Sequence, residues 1–94
     1  MIVVSQKGDF AHKIQGSVGW REENLMVVLE NSNESGELPE TTSKTVYAVR
    51  IDGYRMGYFS TPEQAKEQYD QILHSWLRGL RDLYEIPQDV AKNA

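Results

Sequence analysis

The dipeptide Asp52-Gly53 constrains this chain more than any other feature of its sequence. It separates TVYAVRI (residues 45–51) from YRMGYF (residues 54–59), two runs rich in β-branched and aromatic side chains. A two-residue Asp-Gly loop suits a type I′ turn, whose twist matches that of the strands it joins. A β-hairpin is therefore expected. In its simplest register Ile51 opposes Tyr54, Val49 opposes Met56 and Tyr47 opposes Tyr58. Side chains alternate along a strand, so these six share one apolar face, which should be the core face. The other face then carries Val46 with Phe59, Ala48 with Gly57, and Arg50 with Arg55.

The hairpin runs straight into a helix signal, Ser60-Thr61-Pro62-Glu63-Gln64. Thr61 can cap the free N–H groups, Pro62 fits the first helical position, and Gln64 can close a capping box. Ala65, Tyr69, Ile72, Leu73, Trp76, Leu77, Leu80, Leu83 and Tyr84 follow at spacings of three and four, which makes one apolar stripe. The pattern predicts a helix from Pro62 to about Tyr84, with Pro87 marking its end. Gly79 falls inside that span, where glycine costs roughly 1 kcal/mol relative to alanine. Burying each larger side chain of the stripe gains about 1.5–3 kcal/mol before entropy is subtracted. Such a helix is expected to lie on a sheet.

The first half adds more strands. Residues 2–6 read as a first strand with a turn at Lys7-Gly8-Asp9, and residues 10–14 as a second. NLMVVLE (residues 24–30) is a nearly unbroken apolar run, which suggests a central strand buried on both faces. NSNESGELPETTSK (residues 31–44) is polar and acidic, and reads as a long hairpin loop. The expected fold is α+β: an antiparallel β-meander of four to five strands with one long C-terminal helix packed on one face. Residues 1–86 form the single domain, residues 31–44 a flexible acidic loop within it, and residues 87–94 a flexible C-terminal tail. At 94 residues the chain suffices for one core.

The opening MIVVSQ, the stretch VYAVRIDGYRMGYFSTPEQAKEQYDQIL and the ending YEIP resemble a loose group of small bacterial and prophage proteins. These begin with a short strand carrying a Ser-Gln pair. They continue through an antiparallel meander, then pass through a Gly-x-Tyr and Ser/Thr-x-Glu-x-Ala junction into one helix. Here the junction is GYFSTPEQA (residues 57–65) and the ending is Tyr84-Glu85-Ile86-Pro87. The resemblance implies the same fold and a bacterial or prophage cytoplasmic origin. It supplies no activity and no site residue.

Composition narrows function by exclusion. There is no cysteine, which removes disulfides and thiolate metal sites. The start, Met1-Ile-Val-Val4, is too short and lacks the flanking charge for a signal peptide or membrane span, so a cytoplasmic chain with no membrane partner is expected. Net charge is −4, with most of the excess before Thr45. An acidic chain repels a phosphate backbone unless it carries a local basic patch. No nucleophile elbow and no phosphate-cradling glycine loop is visible, so no enzyme, no cofactor and no catalytic or metal site is expected. Glu22-Glu23 reads as a solvated turn. His74 lies one turn after Asp70, but no third ligand completes a metal site.

Three residues remain as contact candidates. Arg50 and Arg55 should meet across the hairpin, where like charges repel. They either bind an anion or acidic partner, or splay into water or pair with Glu or Asp on a neighbouring strand. Trp20 is the candidate anchor for a partner, with core packing as its alternative. The sequence therefore reads as a small non-catalytic protein-binding or assembly module with an unknown protein partner. A homodimer that buries sheet edge or uncovered sheet face is expected. The alternative is a nucleic-acid-associated regulator using an arginine surface of Arg50, Arg55, Arg78 and Arg81. It requires the four on one contiguous face.

Overall fold

A computed structural model describes residues 1–28 and 41–89 of the chain. The fold is α+β. In chain order it comprises β1 (Ile2–Val4), β2 (Ala11–Lys13), β3 (Val18–Val28), β4 (Thr41–Ile51), β5 (Tyr54–Phe59), α1 (Pro62–Arg78) and β6 (Leu83–Glu85). β3, β4 and β5 form an antiparallel meander with β4 in the middle. A second sheet has the order β2-β1-β6, with β1 antiparallel to β2 and parallel to β6. The α+β class, with an antiparallel meander and one helix packed on it, is as expected, and the strands among the described residues number six in two sheets.

The Asp-Gly hairpin forms as expected. Asp52 and Gly53 both take positive φ, 50° and 86°, as a type I′ turn demands. Arg50 opposes Arg55 and Ile51 opposes Tyr54. Beyond them the simple register fails, because a bulge makes Val49 oppose Gly57, Ala48 oppose Tyr58 and Tyr47 oppose Phe59. Met56 is the extra residue. A bulge shifts every later side chain to the other face. Phe59 thereby enters the core, whereas Tyr58 is only half-buried. Tyr54, expected inside, is 53% exposed.

Thr61 caps α1 from an extended conformation, its Oγ1 accepting the Gln64 N–H, and Pro62 holds the first position. The Thr61 hydroxyl also donates to Gln64 Oε1 (3.0 Å). The helix stops at Arg78, not near Tyr84. Gly79 takes a left-handed φ of 64° and its N–H bonds the carbonyls of Ser75 and Trp76. The glycine that looked like an interior defect is a C-cap, where lack of a Cβ is an advantage. Released from the helix, Leu83–Glu85 pairs with β1.

One core joins both sheets and the helix. Val3, Ile14, Val49, Ile51, Met56, Phe59, Ala65, Ile72, Tyr84 and Ile86 are buried together, with Trp20 and Trp76 packed against them. Leu73 is half-buried, but Leu77 is 70% exposed, so the expected stripe reaches the core only in part. β3 is an edge strand, not a central one, and Met26 is 71% exposed. Residues 41–44 are strand, not loop, because they ladder with residues 25–28. The rest of the expected loop, and the tail beyond Asp89, lie outside the described residues. The described start of that tail is held: Asp89 is 3% exposed and accepts a hydrogen bond from Ser60, and Gln88 donates to the Gln6 carbonyl.

Candidate functional site

The turn residue Asp52 is the hub of the first polar cluster. One carboxylate oxygen accepts the N–H groups of Gly16 and Ser17, each at 2.8 Å. The other accepts the Gln15 N–H (2.6 Å) and lies 2.8 Å from His12 Nε2. The Gln15 N–H, the His12 ring, and the Ser17 and Gly16 N–H groups hold this carboxyl far below the ordinary aspartate range. Its folded pKa lies under its unfolded one. Stability from the charged form is therefore present above about pH 4 and lost as the pH falls below that. Asp52→Asn is expected to lower Tm at neutral pH, and the gap to the wild type should close in acid. Thermal melts across that range check this; a Tm deficit constant with pH would remove the charge as the cause.

His12 carries an aromatic group with it. Its ring stacks on Phe10 (centroids 6.2 Å, 14° between planes) and meets Tyr54 at 5.0 Å, while Phe10 and Tyr54 lie 5.5 Å apart. Beside this trio, the β1–β2 turn and β5 enclose a cleft of about 410 Å³ lined by Lys7, Asp9, Phe10, Tyr54, Arg55 and Tyr58, among others. Its volume lies in the range of small-ligand sites, and its walls mix aromatic rings with charges of both signs. Gln6 closes the inner end of β5. Its backbone N–H bonds the Met56 carbonyl, its Oε1 accepts the Tyr58 N–H, and its Nε2 donates to the Tyr58 and Pro87 carbonyls. A side-chain amide thus pairs with the strand as a peptide would.

The second cluster is built on Glu23. It lies mid-way along β3, not in a turn, and its side chain is 13% exposed. Its carboxylate meets Arg21 (2.8 Å), Arg50 (2.9 Å) and Arg55 (3.2 Å). Burial pushes the carboxyl pKa up, but hydrogen bonds and charge from Arg21 and Arg50 outweigh this and hold it below the ordinary value. The facing arginines are thus brought together by an acid on the neighbouring strand. Arg50 also donates to the Gly53 carbonyl.

The other sequence candidates lie apart. Trp20 is half-buried and packs on the core. By register it sits on the Val49 and Ile51 face of the sheet, whereas Arg50 sits on the opposite face. Arg78 is in the last turn of α1, and Arg81 lies 5.4 Å over the Tyr84 ring. The ion pairs of Arg50 and Arg55 with Glu23 include neither Arg78 nor Arg81. His74 and Asp70 are exposed on α1, and among the described residues no three His, Asp or Glu side chains gather as a metal site would need. Sequence reasoning missed His12, Asp52, Glu23 and Gln6 as hubs. Gln6 alone had a signal, in the Ser-Gln pair of the opening strand.

The apolar surface is unevenly distributed. Large exposed apolar side chains are Met26 and Val27 on β3, Phe10 and Tyr54 at the cleft, and Ile2, Leu77, Leu80 and Leu83 where α1 ends and β6 begins. β5 reaches only as far as Tyr47, so beyond it β3 and β4 continue as a two-stranded ribbon, with all of residues 41–45 exposed. No helix among the described residues is long and apolar enough to cross a membrane. Comparison with protein-family models, with curated proteins and with solved structures found no match to this chain.

Proposed function

We propose that this protein is a non-catalytic protein-binding or assembly module whose contact element is the outer ribbon of β3 and β4. The observation that carries this reading is the ribbon itself. Two strands with no third beside them among the described residues, and with Met26 and Val27 turned to water, are marginal in isolation. A partner that covers them supplies the missing burial. The nucleic-acid reading has less support, because Glu23 already engages Arg21, Arg50 and Arg55. A bacterial or prophage cytoplasmic setting belongs to the same proposal, and the resemblance at the chain's opening and junction supports it.

The test compares immobilised wild-type chain with the double variant M26K/V27K. Both positions are surface sites, where substitutions shift stability by no more than about 0.5 kcal/mol. Discrete proteins retained by the wild type and lost by the variant, at unchanged Tm, are the expected result. Equal retention by both would overturn the ribbon as the contact element. Salt-sensitive binding of oligonucleotides by both would favour the arginine reading instead.

A further inference from the structure

Resting on that reading, we infer that the ribbon's partner is a second copy of this chain, joined through antiparallel pairing of the two β3 strands about Glu23. The Asp52 N–H bonds the Ser17 carbonyl (2.9 Å), which fixes the parity of the ladder. Gly19, Arg21, Glu23, Leu25 and Val27 direct their backbone groups at β4. Trp20, Glu22, Asn24 and Met26 direct theirs to the outer edge. No described residue pairs with that edge over the eleven residues of β3. The strand contains no proline or lysine and its register with β4 runs without a bulge, and of its three charged residues Arg21 and Glu23 pair with each other, which leaves Glu22 as the one unpaired charge on the edge.

The side chains select the register. Centred on Glu22, two unneutralised glutamates would face each other, which is unfavourable. Centred on Asn24, Glu22 would oppose Met26, Glu23 would oppose Leu25 and Arg21 would oppose Val27, a charge against an apolar group each time. Centred on Glu23, Trp20 opposes Met26, Gly19 opposes Val27 and Glu22 opposes Asn24, and Arg21 against Leu25 is the one charge set against an apolar group. The exposed outer end of each ribbon then lies against the inner end of its partner. The two Glu23 carboxylates face each other, and each is already held by the arginines of its own chain. The product is a continuous six-stranded sheet with two-fold symmetry.

Sedimentation of the wild-type chain tests the association, and cross-linking tests the register. The chain has no cysteine of its own. In the Glu23-centred register, residues 21 and 25 of opposite copies form non-hydrogen-bonded pairs with Cα atoms about 4.5 Å apart. Within one strand the same two residues lie roughly 13 Å apart, beyond a disulfide's reach of about 7 Å. The variant R21C/L25C should therefore oxidise to a covalent dimer of twice the chain mass, while R21C alone should not. A wild-type dimer at micromolar concentration together with this pattern is the expected result. A monomer up to submillimolar concentration overturns the inference, yet leaves the M26K/V27K comparison to decide the binding reading separately. A dimer that resists cross-linking in R21C/L25C, or that survives in M26K/V27K at wild-type strength, overturns the β3 pairing.

Discussion

Ile51→Ala should be among the most damaging single substitutions in this chain, at about 2–5 kcal/mol by comparison with other core truncations. Ile51 has no exposed surface. It sits at the base of the Asp52-Gly53 turn, opposite Tyr54 on one side and Val18 on the other, and packs into the core that joins both sheets to α1. Neighbours fixed by two ladders cannot collapse into the space it leaves. Urea unfolding should show a lower midpoint with an unchanged m-value. The same truncation at Leu77, which is 70% exposed, should shift stability by less than about 0.5 kcal/mol. Equal losses at the two sites would mean that the helix packs differently.

Gly57→Ala should cost about 1–3 kcal/mol, and Gly57→Val more, through overpacking. A Cβ built at Gly57 would lie 2.9 Å from Gln6 Cβ and 3.1 Å from Ile86 Cγ2. Those atoms belong to the segments that follow β1 and β6, so the intruding methyl would push the second sheet off the edge of β5. Gln6 would then lose its bonds to Tyr58 and Met56 as well. For a domain near this size, each 1 kcal/mol lowers Tm by roughly 4–8 °C. Scanning calorimetry on Gly57→Ala reads this directly, and an unchanged Tm would show that the two sheets part easily.

The hairpin and its helix were legible because their signals are local. Asp-Gly sets a turn through backbone sterics, and Thr61-Pro62 sets a cap through two adjacent residues. Met56 was misplaced because a bulge has no signature in a run such as YRMGYF. It is fixed by what β5 must meet on both sides. Gly79 was misjudged because apolar periodicity continues through Leu80, Leu83 and Tyr84, and periodicity alone cannot separate a long helix from a short one followed by a strand. The partnership of Ile2–Val4 with Leu83–Glu85 is non-local, and no spacing announces it.

The candidate sites divide along the same line. Arg50 and Arg55 follow from the turn, and their meeting was foreseeable. Their neutralisation depends on which residue of β3 comes alongside, which no pattern within the hairpin reveals. Glu22-Glu23 was read as a turn because paired acids are common there. In the fold the two point to opposite faces of a strand, and only Glu23 reaches the arginines. His12 and Asp52, forty residues apart, are likewise joined only by tertiary structure.

Parallel pairing of β1 with β6 has a bearing on synthesis. During translation the meander and its helix can close on themselves as soon as they leave the ribosome. The early strand Ile2–Val4 has only β2 beside it until Leu83–Glu85 emerges. Distant pairings of this kind close slowly, because the intervening chain must first be drawn together. Nascent chains stalled through an appended linker long enough to carry Gly79 clear of the ribosome should therefore hold a protease-resistant middle while their opening residues remain open to cleavage.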